Sequence, residues 1–315
     1  MTLTLALVLA ALLADSPPDA PVEAPAAVVA QAPAESVAFT RLSMPDAAGP
    51  AVEIGVWRPA GVAANVRLPL VVMSHGNGGD FRSHEDTARA LAGAGFIVAA
   101  LTHTGDNWRD QSQATDMAQR PRQLHVLIDY MTGEWDGRAS VDPGRIGVFG
   151  FSSGAFTVLA AAGGEPDLSR VTEHCQAHPG FYACRLVASR GAPAAQQVWT
   201  HDARIKAVVA AAPALGFTFT PEGLAGVTQP VQLWRAEIDQ ILPSPFYAEV
   251  VRDALPKPPE YHLATGANHF DFLPPCSAQL AASAPMICVA TPGLDRKAFH
   301  ETFNREVVRF FREKL

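Results

Sequence analysis

The sequence predicts an α/β fold: a mostly parallel, doubly wound sheet with helices on both faces, an opening antiparallel pair and a cap-like insertion. Three observations predict it. From residue 68 onward, short apolar runs rich in β-formers alternate with helix-compatible segments, an order that implies a parallel sheet covered on both sides. Leu68 to Met73 is a nearly continuous apolar run, as expected of a strand with neither face in water. Ile146 to Phe149 leads through Gly150-Phe151-Ser152-Ser153-Gly154 directly into a small-residue helical segment. That is the strand, sharp turn, helix order of a nucleophile elbow, in which a serine hydroxyl projects from the top of the sheet.

The elements follow in order. Val37 to Leu42 and Val52 to Trp57 read as strands joined by the turn-rich Pro45-Asp46-Ala47-Ala48-Gly49-Pro50, hence the antiparallel pair. Leu68 to Met73 ends in Ser74-His75-Gly76-Asn77-Gly78-Gly79. A helix is expected from near Ser83, where Ser-His-Glu-Asp resembles a capping box, to Gly95. Phe96 to Leu101 is the next strand, and Pro121 suits the first turn of a helix whose face carries Leu124, Leu127, Ile128 and Met131. After the elbow strand, Ala155, Val158, Leu159 and Ala162 stripe another helix. Residues 164–204 interrupt the rhythm with little clear period; loops this long are usually functional or disordered, and here a cap over the site is expected. Ile205 to Ala211, Val231 to Trp234 and Tyr261 to Ala264 are further strands; helices lie around Phe246 to Ala254 and along Phe299, Phe303, Val307 and Phe310.

Ahead of this domain, expected over 37–315, Thr2 to Ala14 is almost wholly apolar and the Ala/Pro-rich 15–36 follows. The apolar stretch is shorter than the roughly 20 residues a bilayer takes and suits the core of a signal peptide over 1–14. Residues 15–36 read as a linker, too poor in large apolar groups to offset the entropy of ordering. A secreted or periplasmic protein with no membrane span in its mature form is therefore expected. The four cysteines agree: among three possible pairings, Cys175 with Cys184 and Cys276 with Cys288 suit the spacing best, and an even count confined to irregular segments suits an oxidising compartment. Neither pair has zinc-site spacing. A net charge of -7 without basic clusters argues against a nucleic-acid partner. Oligomeric state has no signature in the sequence.

A bare G-x-S-x-G arises by chance in roughly one chain in ten of this length, so the rest of the chain must supply a base, an acid and an oxyanion hole. Ser152 needs a base within hydrogen-bond reach. His269, in the loop after the last short strand, is the choice that satisfies the chain order Ser, Asp, His; His75, His103 and His262 are its rivals. Asp239, a short loop beyond Val231 to Trp234, can hold the far imidazole nitrogen and stabilise the imidazolium, with Glu237 and Asp271 as rivals. One oxyanion donor should be the main-chain N–H of Ser153, and the second should come from the His75-Gly76-Asn77 loop. His103, Trp108, Phe217 and Phe270 are candidates to line the substrate site.

With these residues in place the chain resembles the α/β-hydrolases, close to the dienelactone-hydrolase-like branch that also resembles platelet-activating-factor acetylhydrolases. The resemblance covers about residue 37 to the end and rests on His75-Gly76-Asn77-Gly78-Gly79, the elbow at Ser152, Asp239 before Ile241 and Pro243, and His269 in Gly266-Ala267-Asn268-His269-Phe270. It implies Asn77 as the second oxyanion donor, through its main-chain amide. Dienelactone hydrolases proper use a cysteine nucleophile where this chain has Ser152, which favours an ordinary esterase. The expected activity is therefore hydrolysis of a small-molecule or lipid-like carboxylic ester through an acyl-enzyme, with no metal and no cofactor. A lipase, polyester hydrolase or peptidase on the same fold is the alternative, and a non-catalytic binding protein on this scaffold is a more distant one.

Overall fold

The computed structural model describes residues 37–63 and 66–315; the expected signal peptide over 1–14 and linker over 15–36 lie outside the described residues. Among the described residues eight strands form one sheet. They are β1 (Val37–Met44), β2 (Val52–Pro59), β3 (Leu68–Ser74), β4 (Ile97–Leu101), β5 (Val141–Phe151), β6 (Ile205–Ala211), β7 (Val231–Ala236) and β8 (Glu260–Ala264). Their spatial order is β1-β2-β4-β3-β5-β6-β7-β8. β1 and β2 pair antiparallel, β2 joins β4 antiparallel, and every later pairing is parallel. The helices are α1 (Glu85–Gly93), α2 (Gln119–Gly133), α3 (Ser153–Ala161), α4 (Arg170–Ala177), α5 (Tyr182–Arg190), α6 (Pro221–Leu224), α7 (Ala248–Ala254), α8 (Ala278–Ser283) and α9 (Arg296–Lys314). This is the α/β-hydrolase fold.

The central strands are mostly buried, β4 without interruption, so their apolar character is continuous rather than alternating. α1 packs on α9, and α2 packs on α3. Phe303, Val307, Phe310 and Phe311 make the buried stripe of α9, with Phe303 against Phe149 of β5. Register then decides where loops emerge. Ser74 at the end of β3 lies opposite Gly150 of β5, and Phe151 lies opposite Ala211 of β6. The loop after β3 and the elbow after β5 therefore leave the same edge of the sheet side by side, as parallel strands with common carboxyl ends require.

Three local expectations are corrected. The helix near Ser83 starts at Glu85 with His84 as its N-cap and no side-chain cap; Ser83 Oγ instead accepts the Asp80 N–H at 3.0 Å, so it is not free to cap. The helix expected around Phe246 begins at Ala248. The insertion, expected to be irregular, contains α4 and α5, helices of 8 and 9 residues, too short and too little buried to leave an apolar period. Cys175 and Cys184 sit on those helices and bridge them across a Cα–Cα distance of 5.0 Å. Cys276 and Cys288 form a second disulfide, 5.7 Å between Cα atoms. Among the described residues no cysteine is free, and no helix is long and apolar enough to cross a membrane.

Candidate active site

The elbow is dictated by its two glycines. A Cβ on Gly150 would collide with the main chain of Gly154, and one on Gly154 would collide with the carbonyl of Ser74, so β5, α3 and β3 meet this closely only because neither position has a side chain. Between them Ser152 is forced to φ 56° and ψ −118°, a conformation that costs a non-glycine residue about 1–3 kcal/mol. Its surroundings hold it there: Ser152 N–H donates to Ala211 O at 2.9 Å, and Ser152 O accepts from Ala214 N at 3.0 Å.

Two loops bring the other groups. Asp239, after β7, accepts the Ile241 and Leu242 N–H groups on Oδ1 at 2.9 and 2.7 Å. Its Oδ2 lies 2.8 Å from His269 Nδ1, and His269 Nε2 lies 3.1 Å from Ser152 Oγ. Because the carboxylate can only accept, Nδ1 carries the proton and Nε2 is left to accept from the serine hydroxyl. The His269 loop is tied to the Asp239 loop by Asn268, whose Oδ1 accepts from His269 N at 2.8 Å and from Gln240 N at 3.1 Å. Phe151 packs 4.8 Å from the imidazole, and both ionisable partners are nearly sealed from solvent, with side-chain exposures of 2% for His269 and 4% for Asp239.

The loop after β3 is organised by a buried ion pair. Arg120 and Asp106 have side-chain exposures of 2% and 3% and are bonded to each other. Arg120 also donates to His75 O and, at 3.0 Å, to Thr157 Oγ1. Asp106 accepts from Gly78 N at 3.1 Å and Asn77 Nδ2 at 2.6 Å. Burial pulls the pKa of the Arg120 guanidinium below its ordinary value, with the Asp106 charge opposing the shift. Neither the Asn77 nor the Ser153 main-chain N–H has an acceptor among the described residues, and both residues line the pocket above Ser152.

The rival residues lie elsewhere. Glu237 is exposed and accepts the Gly266 N–H at 2.7 Å. Asp271 is held by Arg296 and by Thr291 Oγ1. His262 stacks on Trp234 and bonds Glu260. His75 donates from Nδ1 to Gly76 O and accepts the His103 N–H on Nε2. His103 is expected to line the substrate site; it is instead fully buried, bonded to Ser74 Oγ at 2.8 Å and Gln123 Oε1 at 3.0 Å, so both ring nitrogens are occupied. Phe217 is likewise turned into the interior, stacked on the His174 ring at 3.6 Å, and Trp108 is 60% exposed beneath Arg109. Phe270 is half-buried and adjoins the site, 5.4 Å from the His269 ring. None of these four is in the pocket wall, which is built from Met117, Val171, Tyr182, Leu186, Leu215 and Leu242 with other apolar or small polar neighbours and no charged side chain. Among the described residues no three His, Cys, Asp or Glu side chains converge as metal ligands.

The buried histidines set an acid limit on the fold. Burial, aided by the Arg120 charge, drops His75 to about 3; burial drops His84 to about 3; and His103 falls well below its ordinary value for the same reason. All three stay neutral in the folded protein at a pH where the unfolded chain, titrating near 6.5, takes up protons. Stability is therefore undiminished above about pH 6.5 and falls as pH drops from there toward 3, by about 1.4 kcal/mol per pH unit for each such histidine once the unfolded form is charged. Urea unfolding at pH 7, 6 and 5 is expected to show a loss of about 3–4 kcal/mol between pH 6 and 5. A flat profile over that interval would contradict neutral burial.

No protein-family profile matches the chain. Over 78 residues it is 38% identical to the bis(hydroxyethyl) terephthalate hydrolase of Streptomyces coelicolor (strain ATCC BAA-471 / A3(2) / M145), a stretch that makes up 25% of this chain and 23% of the relative. The chain thus matches less than a quarter of the length of that curated relative, an esterase by its name.

Proposed function

We propose that the protein is a serine hydrolase that cleaves uncharged carboxylic esters through an acyl-enzyme. One observation carries this reading: the hydrogen-bonded series Asp239, His269, Ser152 ends beneath a pocket bordered by two main-chain N–H groups with no acceptor of their own. In the proposed reaction Ser152 Oγ attacks the ester carbonyl carbon while its proton passes to His269 Nε2. The Asp239 carboxylate stabilises the imidazolium. The carbonyl oxygen becomes an oxyanion held by the Ser153 and Asn77 amides, a contribution typically worth about 10²–10³ in rate per donor. Collapse expels the alcohol, which takes the proton from His269. Water, deprotonated by His269, then attacks the acyl carbon and frees the acid and Ser152.

The apolar wall supports the choice of an uncharged substrate, because a carboxylate placed there would lose hydration without meeting a cation. Helices α4 and α5 act in this reading as a cap over the ester, and the dienelactone-hydrolase-like branch is part of it, supported by the residues around Asn77, Asp239 and His269. Two disulfides support an exported protein. The partial relative makes bis(hydroxyethyl) terephthalate, a neutral diester, a first substrate to try. The test has two arms. A fluorophosphonate probe is expected to leave one adduct, on the peptide containing Ser152; an unlabelled folded protein would rule out the hydrolase reading. 4-Nitrophenyl butyrate is expected to turn over with a kcat/KM about 10²-fold above that of the anionic 4-nitrophenyl hemisuccinate, roughly 2.7 kcal/mol of discrimination. Equal rates would remove the uncharged-substrate assignment alone.

A further inference from the structure

Asn77 is expected to contribute only a main-chain amide, yet its side chain is held at both ends. Nδ2 donates to Asp106 Oδ1 at 2.6 Å, and Oδ1 accepts from the Tyr182 hydroxyl at 2.7 Å. The amide's orientation is set by chemistry, since the Asp106 carboxylate cannot donate and must face the nitrogen. Tyr182 comes from the insertion: it is the first residue of α5, two positions before Cys184, whose disulfide fixes α5 to α4. Burial and the nearby Asp106 charge raise the Tyr182 pKa, so its hydroxyl keeps the proton it donates. Ser152, Asn77 and Tyr182 line one pocket.

We propose that Tyr182 is a positioning residue for the oxyanion hole: through the Asn77 side chain, the disulfide-clamped insertion fixes the direction of the Asn77 main-chain N–H. The insertion then has two tasks, walling the acyl pocket and completing the transition-state site. The physical reason is that a loop rich in glycine, Gly76-Asn77-Gly78-Gly79, has little stiffness of its own. Anchoring the one side chain within it from both sides limits the rotation of the peptide unit that carries the donor. An interaction felt mainly when the oxyanion forms alters kcat, whereas one felt equally by bound substrate alters KM.

This inference rests on the serine-hydrolase reading, and the experiment separates the two. In the full-length oxidised protein, Tyr182→Phe removes the hydroxyl and keeps the ring in the pocket wall. With 4-nitrophenyl butyrate it is expected to lower kcat about tenfold, equivalent to about 1.4 kcal/mol, with KM within twofold of the parent and the urea midpoint nearly unchanged. Asn77→Ala, which removes both anchors, is expected to give a fall at least as large, and adding Tyr182→Phe to it no further fall, because Tyr182 acts through the Asn77 side chain. Cys175→Ser with Cys184→Ser, which loosens α5 and leaves Tyr182 in place, is expected to lower kcat in the same direction. Unchanged kcat in Tyr182→Phe, a change confined to KM, or additive losses in the double variant would each overturn the proposal while leaving the hydrolase reading intact. A parent enzyme that neither turns over esters nor reacts with fluorophosphonate would overturn both.

Discussion

Ser152→Ala is expected to lower kcat on an activated ester by about 10⁶, with KM changed little. The size follows from the way a nucleophile, its base and its orienting carboxylate act as a unit: removing the attacking atom forfeits the whole covalent route, and what remains is transition-state binding by the pocket and the two amides. The fold should survive the change. Ser152 Oγ has His269 Nε2 as its hydrogen-bond partner, the loss of which costs about 1–3 kcal/mol if that buried nitrogen is left unpaired, and alanine tolerates φ 56° no worse than serine does. His269→Ala is expected to be comparably severe, and the double variant little worse than either, since the unit is already broken. Single-turnover assays beside urea unfolding of the same samples check both statements. Activity within tenfold of the parent in a folded Ser152→Ala protein would remove Ser152 from the mechanism.

Arg120→Met is expected to give the largest loss of stability among single side-chain changes near the site, about 3–5 kcal/mol. Arg120 and Asp106 are buried together, so removal of the guanidinium leaves a carboxylate with no counter-charge in the interior. It also strips donors from His75 O and Thr157 Oγ1. Asp106 would keep only the Asn77 and Gly78 donors, which are not enough to replace an ion. Combining Arg120→Met with Asp106→Asn is expected to recover part of the loss, because no uncompensated charge remains. Equilibrium denaturation at pH 7 reads both variants. A loss under 1 kcal/mol in the single variant, or none recovered in the double, would show that the pair contributes little and that the β3 loop is held by other means.

Much of the fold was legible before any coordinates. Alternating apolar runs announced the strands, and two small turn residues at the right spacing announced the elbow, since Gly150 and Gly154 are required by backbone contact alone. Cysteine spacing pointed to the two bridges, because chain segments of 9 and 12 residues close on themselves readily. Chain order selected Ser152, Asp239 and His269 from a crowded field, and these are the groups that lie within hydrogen-bond reach of one another. The insertion was less legible: α4 and α5 bury only Val171 and Cys184, so their helical period is not written in apolar residues.

Local pattern in the sequence was enough for the class of fold, the order of its elements and the choice of the residues proposed to react. The tertiary structure alone decided which way side chains face and which distant partners they meet. His103 and Phe217 follow strands near the sheet edge, positions that suggest a pocket lining, yet both are buried among interior partners. The chain Arg120, Asp106, Asn77, Tyr182 joins residues 14, 29 and 105 positions apart, a separation at which neither helical nor strand periodicity carries information. Such contacts are set by packing of the whole sheet and its insertion, and local propensity does not encode them.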